Sequence, residues 1–148
     1  MVALPQSRQG RYHCLVIDSD GSRDRHVVLY DADCGFCRWS LGRILARDRA
    51  GVLRPLALQD PEAEHLLAGM DREQRMASWH LVMPEGRVYS GGAAVAPLFR
   101  LLPRGRLVAA LATLFPGVTG AVYRLVARNR GRLGRLLRVD SCSLERRP

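Results

Sequence analysis

The chain has 148 residues, 47% apolar and 25% charged, with four cysteines. This suits one soluble domain large enough to bury a core without staples, and it excludes a disulfide-framework scaffold. The net charge of +9 is carried by arginine alone, since lysine is absent, and all of it falls in residues 100–148, where eleven arginines meet only Asp140 and Glu145.

Residues 1–25 are polar and mixed, with a turn at Asp18-Ser19-Asp20-Gly21, and read as an N-terminal extension with a short strand at 12–17. The first ten residues lack a basic stretch followed by a long apolar core, so no signal peptide is expected and the expected location is cytoplasmic. Residues 27–30, Val-Val-Leu-Tyr, form an apolar run without alternation, as in a central strand covered on both faces. Asp31-Ala32-Asp33 ends it. From Gly35 to Arg49, Cys37, Leu41, Ile44 and Leu45 share one helical face and the arginines lie largely off it. Residues 52–58 read as a second strand, moved to an edge by Pro55. Asp60-Pro61-Glu62 is a strong helix start, and that helix is expected to run to about Gly69.

Residues 78–83 read as a third strand, Pro84-Glu85-Gly86 as a turn, and 87–90 as a fourth strand paired back in a hairpin. Gly91-Gly92 opens a helix over 93–102 that Pro103 closes, and two further helices are expected at 106–114 and 118–130. The remaining 131–148 are expected to be irregular. The order βαβα-ββα predicts an α/β sandwich with a mixed four-stranded sheet, plus two extra C-terminal helices. Residues 107–123 carry no charge and are flanked by arginines, but the stretch is short for a membrane span and is broken by Pro116-Gly117. Two short helices packed on the sheet or on each other explain it better.

The chemistry concentrates in Cys34-Gly35-Phe36-Cys37, delivered by a strand to the first turn of a helix, which is the layout of thioredoxin-like redox sites. Helical spacing puts both sulfurs on one face, and the amides of a helix N-terminus favour negative charge there. Cys34 is the expected attacking thiolate and Cys37 the more shielded resolving thiol. Arg38, four residues after Cys34, adds positive charge. Asp33 is expected either to accept a proton from Cys37 or to cap the helix. Phe36 and Trp39 are expected to form an apolar rim for a thiol substrate, and Gly35, Phe36 and Arg38 are expected among the substrate-binding residues. The same two cysteines also have zinc-like spacing, with Cys142 and either Cys14 or His13 to complete four ligands, but a lone CxxC after a buried strand favours redox use without a metal or organic cofactor.

Tyr30-Asp31-Ala32-Asp33-Cys34-Gly35-Phe36-Cys37 resembles the signature of the DCC family of predicted thiol-disulfide oxidoreductases, named for Asp-Cys-x-x-Cys. Gly86-Arg87-Val88-Tyr89, the segment 122–130 and Asp140-Ser141-Cys142 extend the resemblance over about residues 27–143. The resemblance implies a thioredoxin-like fold over 26–143, followed by a tail at 144–148, and a disulfide-exchange activity on protein or low-molecular-weight thiols. Two departures stand out. Many members have Ser-Asp-Ala where this chain reads Ser90-Gly91-Gly92-Ala93, and the wider superfamily usually has a cis-proline before the third strand, where this chain has Met76-Ala77-Ser78. Ser78 is accordingly assigned to substrate binding there. The rival reading is a non-catalytic module that docks through its arginine-rich C-terminus on an acidic partner or an anionic membrane surface. Nucleic acid is disfavoured because few aromatics interleave the arginines and no binding motif accompanies them.

Overall fold

The computed structural model describes residues 25–138. The expected strand at 12–17, His13, Cys14, Cys142 and the tail lie outside the described residues. Four strands, β1 (His26–Tyr30), β2 (Leu53–Ala57), β3 (His80–Val82) and β4 (Val88–Ser90), form one mixed sheet in the order β2-β1-β3-β4. β1 pairs in parallel with β2 and antiparallel with β3, and β3 pairs antiparallel with β4. The apolar run at Val27, Val28 and Leu29 is therefore an interior strand, and Pro55 sits on the β2 edge, where a missing N–H costs no ladder bond.

Alternation along β1 divides the core. Val27 and Leu29 pack on one face with Leu56, Val82, Ala63 and Leu67, under α2 (Pro61–Leu66). Val28 packs on the other with Leu53, Leu81, Leu41 of α1 (Gly35–Leu45) and Leu98 of α4 (Val95–Leu101). The result is an α/β fold consistent with a thioredoxin-like domain.

Helix starts follow their caps. The Asp60 carboxylate accepts the Glu62 N–H ahead of Pro61 at the first turn of α2, as expected. Between α2 and β3 lies an additional helix, α3 (Arg72–Ala77), that the βαβα-ββα reading omits. A reciprocal capping box builds it: the Asp71 side chain accepts the Gln74 N–H, and the Gln74 side chain accepts the Asp71 N–H. The hairpin turns at Gly86, whose φ of 84° suits glycine.

After β4 the chain makes a 3₁₀ turn (Gly91–Ala94) into α4, then α5 (Arg106–Leu114) and α6 (Pro116–Leu136). The last helix extends through Arg130 to Leu136, so the first part of the expected irregular tail is helical. α6 packs on the 3₁₀ turn and on α1. Glycines permit that approach: a Cβ on Gly92 would lie 2.9 Å from the Gly120 Cα, and one on Gly91 2.9 Å from the Tyr123 ring. No single helix among the described residues is long and apolar enough to cross a membrane, and α5 and α6 meet at a bend of 106°.

Candidate active site

β1 ends at Tyr30, and the next four residues turn the chain into α1. Asp31 makes the turn: its Oδ1 accepts the Asp33 N–H at 3.0 Å, and its carbonyl accepts the Cys34 N–H at 3.3 Å. Gln59, from the loop after β2, clamps this turn from outside. Its Oε1 accepts the Ala32 N–H, and its Nε2 donates to Asp31 at 2.9 Å and to Asp33 at 3.2 Å.

The clamp sets Cys34 in the N-cap position of α1, with extended φ and ψ of −93° and 108°. Its sulfur accepts the Cys37 N–H at 3.2 Å, taking the place that a Ser or Asp oxygen holds in an ordinary cap. Cap duty thus falls to Cys34 and not to Asp33. Gly35 is the first helical residue, Phe36 stacks on Trp39 with ring centroids 5.9 Å apart, and the Arg43 guanidinium lies 5.5 Å from the Trp39 ring centre. Both cysteines are free thiols and half-buried.

The two sulfurs are unequal. Burial first, then a hydrogen bond to the Cys34 side chain and the proximity of that group, push the Cys37 thiol up from 9.0 to about 12. Arg130 of α6 opposes this and Asp31 adds to it. Cys37 is therefore held as a protonated thiol at neutral pH.

The charges around Cys37 differ from those the sequence suggests. Asp33 is exposed and bound to Gln59, whereas Asp31 lines the same cavity as Cys37. Arg38 acts on Tyr30, and the arginine that acts on Cys37 is Arg130, whose Nη1 stands 3.8 Å from Asp31 Oδ2. No pattern in the sequence distinguishes Arg130 from the rest of the arginine-rich segment. Gln59 likewise carries no local signal, since its partners are 26 to 28 residues away.

Behind Cys37 is a cavity of about 230 Å³, walled by Val28, Tyr30, Ile44, Phe99, Tyr123 and Val126 among others. Phe36 and Ser78 also face it, so both meet Cys37 around one space, while Trp39 does not. The Tyr123 hydroxyl accepts the Trp79 N–H at 3.4 Å and also bonds the Ser78 side chain, and burial raises its phenol above 10.0. Ser78, Tyr123, Ala127 and Arg130 are shared with an open groove of about 430 Å³ that Arg124 and Arg128 also line.

His80 belongs to the scaffold. Its Nε2 faces the Arg75 carbonyl at 2.9 Å, which can only accept, so Nε2 carries the proton and Nδ1 accepts from the Ser90 hydroxyl at 2.8 Å. Burial lowers its pKa below 6.5. Among the described residues no group of three or more His, Cys, Asp or Glu side chains is placed to hold a metal ion.

A family model described as DCC1-like thiol-disulfide oxidoreductase matches residues 28–136. Curated proteins and solved structures give no match. The matched span begins within β1 and contains the other three strands, the CxxC at the start of α1 and the helix that brings Tyr123 and Arg130 to it, and the chain belongs to the DCC1-like thiol-disulfide oxidoreductase family.

Proposed function

We propose that this chain exchanges disulfides with protein or low-molecular-weight thiols, with Cys34 as nucleophile and Cys37 as resolving thiol. The observation that carries the reading is the inequality of the pair. Cys34 stands at the helix start with its sulfur accepting the Cys37 N–H, while the half-buried Cys37 thiol is pushed up and held protonated.

In the reductive direction the Cys34 thiolate attacks one sulfur of a substrate disulfide. A Cys34–substrate disulfide forms, and the other half leaves as a thiolate. Forming that bond removes the Cys34 charge, so two of the causes that hold Cys37 protonated disappear while Arg130 continues to favour its thiolate. Cys37 then passes its proton to Asp31, the carboxylate on the same cavity, and attacks Cys34. The Cys34–Cys37 disulfide forms and the second substrate thiolate is released. The pair has lost two electrons and the substrate has gained them. Phe36, Gly35 and Ser78 bound the approach to the sulfurs, and Arg38, which acts on Tyr30 of the cavity wall, contributes positive charge.

The test is trapping. Cys37→Ser incubated with an aromatic disulfide should accumulate a mixed disulfide that peptide mass mapping places on Cys34, while the unaltered chain proceeds to the internal disulfide. Cys34→Ser should form neither. Undiminished exchange by Cys34→Ser would reject the assignment.

A further inference from the structure

The last two helices, α5 and α6, turn most of their larger apolar residues outward, the wrong side for a soluble domain. In α5 the buried residues are the alanines Ala109 and Ala112, while Leu107, Leu111 and Leu114 (spaced i, i+4, i+7) face solvent, Leu107 and Leu114 at 71% and 70% exposure. Phe115 at the corner is exposed, and so are Val118, Val122 and Leu125, again at i, i+4, i+7 along α6. The inward face of α6 uses Gly120, Tyr123 and Ala127. A contiguous apolar face of this kind on a soluble domain marks a surface meant to be covered.

We infer that this α5–α6 corner docks on an anionic phospholipid surface, its leucines in the acyl boundary and its arginines on lipid phosphates. Charge selects the occupant. Residues 100–138 hold nine arginines and no Asp or Glu. Arg104 and Arg106 are exposed at the entry to α5, and Arg124, Arg128, Arg132 and Arg135 form a helical stripe next to the Val118, Val122 and Leu125 face. A second copy of the chain would bring the same excess of arginine against itself. A bilayer with anionic headgroups satisfies both features at once, because guanidinium groups bind phosphate oxygens in pairs and the acyl layer takes the leucines. The geometry is that of a surface helix pair: α5 is only about 14 Å long, and the bend to α6 prevents one continuous span.

Sedimentation of the full chain with vesicles tests this. Phosphatidylcholine vesicles containing phosphatidylglycerol should bind it, and pure phosphatidylcholine should bind it at least about tenfold more weakly. The triple variant L107Q/L114Q/V118Q should lose vesicle binding by about tenfold or more while keeping disulfide exchange and its melting temperature. Should that variant fold poorly, V118W replaces it: its added tryptophan emission should shift to the blue on anionic vesicles. Absence of binding, equal binding to both vesicle types, binding by a folded triple variant, or an unshifted V118W would each overturn the inference. So would a dimer in sedimentation velocity that the triple variant dissolves, which would assign the face to a second copy.

Discussion

The half of the molecule that carries the cysteines and the half that ends it treat leucine in opposite ways. Leu29, Leu56 and Leu81 on the sheet are fully buried, and each helix of the first half turns its larger apolar groups toward them. In α5 and the start of α6 the small residues go inward and the large ones outward. Charge divides the same way, since residues 1–99 are neutral and 100–148 hold the whole excess. Similar apolar content therefore has two uses. In the first half it drives folding, and in the second it contributes little to the core and remains available to a partner.

Truncation breaks or upholds that contrast most directly. Leu29→Ala should cost about 2–5 kcal/mol in urea unfolding, because it opens a cavity in a face with no exposure, whereas Leu114→Ala should stay within about 0.5 kcal/mol. Comparable losses at the two sites would mean that α5 belongs to the folding core after all. The seam between the halves comes next. Gly92→Ala places a Cβ against the Gly120 backbone, which cannot yield as a side-chain tip would. It should cost about 1–3 kcal/mol and lower the rate of disulfide exchange, since α6 walls the Cys37 cavity. An unchanged melting temperature would show that the seam is loose.

The smallest effect is titration inside the first half. His80 is held neutral with a pKa below 6.5, so on acidification the unfolded chain takes up that proton first. Stability should therefore fall as pH drops below about 6.5 and level off once the folded imidazole is itself protonated. A His80→Gln variant should lose this component, and parallel stability profiles for the two proteins between about pH 7 and 5 would refute it.

Local rules made much of this molecule readable. An unalternating run marked β1 as interior, Pro55 marked β2 as an edge, and Asp60-Pro61 marked a helix start, each through chemistry confined to a few residues. α3 escaped because it buries no residue and shows no apolar period; only its Asp71–Gln74 box announces it. The extension of α6 past Arg130 escaped because Gly131 and Gly134 oppose helix, and Gly134 is helical where it is buried. The placement of the CxxC at a helix start followed from spacing. The surroundings of the pair did not, because Gln59 and Arg130 reach the site from distant parts of the chain.

α6 has a further consequence as a mechanical element. One continuous helix holds Tyr123 and Arg130 against the cysteine cavity on its inner side and carries Val118, Val122 and Leu125 on its outer side. A rigid rod cannot be repositioned on one side alone. An occupant of the outer face that shifts α6 moves Arg130 relative to Cys37, and under the proposed disulfide exchange the oxidised and reduced chains would then bind that occupant with different affinity.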